Sequence, residues 1–235
     1  MKLLFPAFAI LLAGLAAGCS STEQAKSVQP NGFLAPYQSQ LEKGQRGKEA
    51  LLVYRNPDAD WASYHAILLE PVQLWNDPGE KLSAEDQKDL QELVDSFYAT
   101  LYNKLSQDYA MVAAPAPGVM RIQIAISHGE PSHTGLALVS KAILPVKLMN
   151  SLWSFASGKP AFTGEVTIEA VVKDSASDKV LGVGADRRVG GLKLFAPNAF
   201  SSWGDVKNSL NFYAAAAVWR LCVLRGDSHC VKPKA

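Results

Sequence analysis

The 235-residue chain has almost no net charge, with 23 lysines and arginines against 22 aspartates and glutamates. A face basic enough to neutralise a phosphate backbone is not indicated, which argues against a nucleic-acid partner. Local catalytic signatures are missing too. There is neither a G-x-S-x-G elbow nor a P-loop, so neither an α/β-hydrolase nucleophile nor a nucleotide-phosphate cradle is indicated. The stretch GVGADR, residues 182–187, fails as a dinucleotide fingerprint because Arg187 stands where the third glycine belongs. His128, Glu130 and His133 lie close together in HGEPSH, but the spacing is not H-E-x-x-H and Pro131 keeps them off one helical face. No metal and no cofactor are expected, and no internal repeat is visible.

What the chain does have is an apolar content of 48%, enough for one ordinary core, and a distinctive start. After Lys2 an uncharged apolar run continues to Gly18. It is too short to span a bilayer and reads as a secretion signal over residues 1–18. The sequence Leu15-Ala16-Ala17-Gly18-Cys19 resembles the lipobox of bacterial lipoproteins. That resemblance implies that the Cys19 thiol receives a diacylglyceryl group, palmitate being the usual kind of chain, and becomes the mature N-terminus. Several acyl chains, at about 0.8 kcal/mol per buried methylene, make release from a membrane very slow. Ser20 replaces the aspartate that signals inner-membrane retention in such proteins, so the expected address is the outer membrane, facing the periplasm. The competing reading is an ordinary signal peptide with an incidental cysteine. Residues 19–31 are polar with little to bury and read as a flexible tether of up to about 40 Å. A single domain over 32–235 follows.

Export bears on the other two cysteines. Cys222 and Cys230 flank the turn-forming Gly226-Asp227-Ser228, and an oxidising compartment favours their pairing as a disulfide. A metal site or reactive thiol using His229 would need further ligands that the tail does not supply.

Periodicity supplies the elements. Leu90, Leu93, Val94, Phe97, Leu101 and Leu105 recur at helical steps, as do Val206, Leu210, Ala214, Ala217 and Leu221 near the C-terminus. Ile122, Ile124 and Ile126 alternate with Arg121, Gln123 and Ala125, the period of a strand. Val166, Ile168, Ala170 and Val172 alternate likewise before the turn DSASDK, which predicts a hairpin. The fold class is thus α/β of the α+β kind: a single domain with a mostly antiparallel sheet, its hairpins packed by a long central helix and a C-terminal helix.

The blocks GFLAPY, YRNPDADWASYHAILLEPVQLW, PGVMRIQIAI, FTGEVTIEAVV, GADRRVGG and WGDV, in that order from about Gly32 to Leu221, resemble an uncharacterised family of bacterial lipoproteins defined by a domain of unknown function, the 3313 type. The resemblance implies a lipoprotein and carries no catalytic residue. The element order is also similar to small periplasmic domains of envelope accessory lipoproteins, a likeness of fold alone.

Two stretches are candidate sites. In the first, folding the hairpin symmetrically about its turn sets Lys173 against Val180, Glu169 against Gly184, Thr167 against Asp186 and Glu165 against Arg188. Arg187 then ends the core face while Glu165, Asp186 and Arg188 cluster on the other, although a one-residue slip exchanges the faces. The cluster is either a structural ion-pair network or an anion or ligand site in which an arginine forks onto phosphate or carboxylate. The second stretch is 131–164, which contains no acid. Its Leu148, Met149, Leu152, Trp153 and Phe155 are either core or a contact for membrane or partner. The expected function is a non-enzymatic envelope accessory or binding protein, held to the membrane by its N-terminal lipid and meeting an envelope protein partner. The alternatives are a hydrolase-like envelope enzyme and a carrier of a small anionic or lipidic ligand.

Overall fold

The computed structural model describes residues 22–30, 32–75, 84–127, 165–190 and 202–234. The signal peptide, Cys19, the histidine pair and the stretch carrying Leu148 to Phe155 lie outside these residues. Strand β1 is Thr22–Gln24, and a 3-10 segment follows at Gly32–Gln40. Short strands β2 (Glu42–Lys43), β3 (Leu52–Arg55), β4 (Ala66–Leu69) and β5 (Gln73–Trp75) lead into helix α1, Ala84–Leu105. Then come β6 (Ala110–Met111), the long strands β7 (Val119–Ser127), β8 (Glu165–Asp174) and β9 (Val180–Gly190), and helix α2, Ser202–Arg225.

The chain is a single α+β domain built on one sheet, ordered β2-β3-β9-β8-β7-β4-β6. Antiparallel pairing dominates, through β2–β3, β3–β9, β1–β9, β8–β9 and β7–β8. The exceptions are β4 and β5, which run parallel to β7, and β4 with β6, also parallel, because α1 carries the chain back across the sheet. Two short strands in tandem cover the outer edge of each flanking long strand. On β9 these are β3 and β1, and on β7 they are β4 and β5. Pro71, which lacks a donor N–H, sits in the break between β4 and β5.

The two faces of the sheet have different covers. Helices α1 and α2 pack on one, where Val94, Phe97, Leu101 and Leu105 from α1 and Leu210, Ala214 and Leu221 from α2 meet Ile122, Ile124, Ile126 and Ile168. The predicted helical and strand periods are therefore the ones that build this core. On the other face Leu34 of the 3-10 segment, fully buried, packs on Val171, Val183 and Ala185. Among the described residues, no helix is long and apolar enough to cross a membrane.

Residues 22–25 correct the tether expectation. Thr22 and Ala25 are buried, and Thr22, Glu23 and Gln24 pair with Gly190, Val189 and Arg188. Low hydrophobicity suggests a solvated segment only when its polar groups have no better partner than water. Here they have one, as the site below describes.

Cys222 and Cys230 form the expected disulfide, folding the tail back on the end of α2. Closing a loop of this length is worth about 2 to 3 kcal/mol in the chain-entropy model. Replacing both cysteines by serine should lower Tm by roughly 5 to 10 °C in thermal unfolding. A shift under about 1 °C would mean that the tail frays independently of the domain.

Candidate functional site

The hairpin of β8 and β9 carries the candidate residues, and its register differs from the symmetric expectation. Lys173 faces Val180 as predicted, but a bulge beside it shifts the rest by one, so that Val172 faces Gly182, Ile168 faces Asp186 and Val166 faces Arg188. Leu181 is the extra residue, and it points to the helical side together with the positions that follow in step with Gly182. Asp186 and Arg188 therefore face α2. Glu165, Thr167 and Arg187 share the opposite face, with Glu165 against Val189 and Thr167 against Arg187. The expected cluster of Glu165 with Asp186 and Arg188 is not formed. The arginine buried in the core is Arg188, at 4% exposure, and Arg187 is part-exposed.

Arg188 is held by neutral acceptors. Its Nε donates to the Thr22 hydroxyl at 2.8 Å, a terminal nitrogen donates to the Thr22 carbonyl, and its guanidinium lies 3.6 Å over the Phe212 ring of α2. Asp186, at 1% exposure, accepts from the Gln24 amide at 2.8 Å and pairs with Arg220 of α2 at 3.4 Å. Gln24 also donates to the Glu49 carbonyl at 2.8 Å. Strand β1, the sheet and α2 thus meet on two buried charges. Burial is the dominant influence on each: it pushes the Asp186 carboxyl above its ordinary value despite Arg220, Gln24 and Arg188, and it lowers the Arg188 guanidinium. Tyr213, wholly buried beside them, is pushed well up by desolvation and then by the Asp186 charge.

A cavity of about 400 Å³ adjoins this cluster, between the sheet and the helices, with Gly182, Gly184 and Ala170 on its floor, Ala217 and Leu221 of α2 opposite, and Arg220 in its wall. Chemically, the cluster can neutralise or bind charge. Both oxygens of Asp186 are engaged by Gln24 and Arg220. Among the described residues, no group of three or more His, Cys, Asp or Glu is placed to hold a metal.

A family described as "Protein of unknown function (DUF3313)" matches residues 29–217. The chain belongs to the DUF3313 family. The matched region holds Gly182, Gly184, Asp186 and Arg188 of this DUF3313 protein, whereas Thr22, Gln24 and Arg220 lie just outside it. No curated protein matches the chain. Among solved structures, a DUF330 protein from Xanthomonas campestris is 11% identical, with 73% of this chain and 91% of that one covered at a TM-score of 0.37. A DUF4136 family protein from Bacteroides thetaiotaomicron is 12% identical over 69% and 91%, at 0.35. A PelC dodecamer from Paraburkholderia phytofirmans is 12% identical over 70% and 94%, at 0.34. Likeness this slight transfers no site, ligand or assembly to the DUF3313 chain.

Sequence reasoning found Asp186 and Arg188 but missed their partners. Thr22 and Gln24 sit in a stretch whose polarity pointed to solvent. Phe212 and Arg220 lie on α2, and the one available signal was Arg220 standing next to Leu221 of the apolar stripe, three residues after Ala217.

Removing Arg188 should leave Thr22 and Asp186 short of a buried partner. Arg188→Ala is expected to cost about 3 to 5 kcal/mol in denaturant unfolding, against less than about 1 kcal/mol for Arg187→Ala. The reverse order would restore the unshifted register. The raised Asp186 pKa also has a sign. The folded carboxyl holds its proton more tightly than the unfolded one, so the Asp186 contribution is best below the ordinary value near pH 4 and falls as pH rises through the raised folded value. Relative to Asp186→Asn, the wild type should lose ground in Tm as pH rises from about 4 towards neutrality. A wild type that gains over that range would show the arginines outweighing burial.

Proposed function

We propose that this protein is a non-enzymatic accessory or binding protein of the bacterial envelope, anchored at the periplasmic face of the outer membrane by lipid on Cys19. The observation that supports this reading most directly is the position of β1. Only Ser20 and Ser21 separate Cys19 from Thr22, which is locked into the sheet by Arg188. A lipid on Cys19 therefore holds the folded domain within about 10 Å of the bilayer, where a 12-residue tether would have allowed about 40 Å. The anchor also orients the domain. Thr22 lies opposite Gly190, at the end of the sheet where Glu165 pairs with Val189 and Ser127 with Thr167. Ser127 and Glu165 flank in sequence the stretch carrying Leu148, Met149, Leu152, Trp153 and Phe155, and to that stretch we assign a contact with the membrane or an envelope partner. The hydrolase-like alternative would require a carboxylate free to take a proton from water, and the engagement of both Asp186 oxygens weighs against that.

Metabolic labelling with a palmitate analogue tests the anchor. The wild-type chain should take up label and fractionate with the outer membrane, and Cys19→Ser should take up none. Label in the variant, or an unlabelled wild type, would remove the basis of this reading.

A further inference from the structure

We propose that the cavity between the sheet and the two helices is a binding site for a single-chain amphiphile, with an acyl tail among the apolar walls and a carboxylate or phosphate head at the cationic rim. The space exists because small residues coincide where the two layers meet. Gly182 and Gly184 of β9 stand opposite Val172 and Ala170 of β8, and Ala217 of α2 closes the same region. Backbone geometry does not require glycine at 184. A Cβ there would meet the Ala50 Cβ at 3.5 Å and the Leu52 carbonyl at 3.7 Å, both ordinary contacts. What the missing side chain provides is room. Elsewhere the same layer is filled by Phe97, Ile126 and Ile168, as close packing demands.

Size and charge select the class of ligand. A cavity of about 400 Å³ lies in the small-molecule range. Since about 150 Å³ takes one benzene, it has room for about sixteen chain carbons, one tail and not two. Trp61, Leu105, Ile124 and Leu221 make the walls apolar. The charged lining residues are Lys48, Arg55 and Arg220 against Glu49 alone, an excess of positive charge. Arg220 is the inner one. It reaches Asp186 at 3.4 Å, while its buried Nε has no hydrogen-bond partner among the described residues. Since Asp186 is shared between Arg188 and Arg220, the buried cluster carries two guanidiniums to one carboxylate. An anionic head brought beside Arg220 would supply the missing counter-charge and an acceptor.

Photolabelling tests this with a diazirine-bearing palmitate, added to the full-length protein in phosphatidylcholine vesicles. The wild type should crosslink at Trp61, Ile124 or Leu221, and excess palmitate or lysophosphatidate should suppress that labelling at least tenfold, the better competitor identifying the head. Methyl palmitate, which keeps the tail and loses the charge, should suppress it less than twofold. Gly184→Leu, which fills the floor and leaves the Arg220 charge in the chain, should reduce cavity labelling at least fivefold at unchanged Tm. Ala217→Leu on the opposite wall serves if that variant does not fold. Arg220→Gln should let palmitate compete no better than its methyl ester. Crosslinks confined to residues outside the cavity would overturn the proposal. So would labelling indifferent to both filling variants, or equal competition by acid and ester. Cys19→Ser protein mixed with the same vesicles should label the cavity like the wild type, so failure of the anchor reading is distinguishable from failure of this one.

Discussion

The burial of the Arg188 guanidinium is the constraint around which the rest of the domain is arranged. A charge taken out of water between a sheet and a helix must be met on every side, or it costs several kcal/mol. The protein meets it with a hydroxyl and a carbonyl from Thr22, the ring of Phe212 and the nearby Asp186 carboxylate. Each of those groups comes from a different part of the chain. Satisfying one side chain therefore joins the N-terminal strand, the hairpin and the last helix, and Arg220 closes the arrangement by holding the far oxygen of Asp186.

The same arrangement sets the two features from which a function can be argued. Because Thr22 is consumed by the sheet, the N-terminal segment starts at a defined end of the domain, and a lipid three residues earlier would dictate both distance and orientation. Because Asp186 and Arg188 occupy the α2 side of β9, the glycines two and four positions before Asp186 fall on that side as well. A strand that turns two glycines and then two charged residues towards a helix cannot fill the intervening layer with apolar side chains, and the cavity is the result. The ion cluster and the apolar space are thus consequences of one register.

Some of this could be read from residue order. The spacing of Val94, Phe97, Leu101 and Leu105 requires a helix whatever it packs on, and the alternation from Met120 to Ile126 requires a strand. The pairing of Cys222 with Cys230 follows from a turn and a short separation. The face of β9 could not be read this way. Period-two alternation identifies the buried face only when the other is wet, and here the 3-10 segment with Leu34 dries the second face as thoroughly as the helices dry the first. With both sides apolar, a one-residue bulge at Leu181 reverses every assignment after it without leaving a trace in composition.

By itself, then, the sequence determined the class of fold, the long elements, the disulfide and the presence of an acid and two arginines at a strand end, because each depends on residues near one another in the chain. Tertiary structure alone decided which arginine is buried, that a polar N-terminal stretch becomes a strand, and that glycines leave a cavity beside Arg220. Those outcomes depend on partners far apart in sequence, Thr22 and Arg188 by 166 positions and Asp186 and Arg220 by 34. Polarity along the chain says that a group needs a partner. Only packing determines whether that partner is water or another part of the protein.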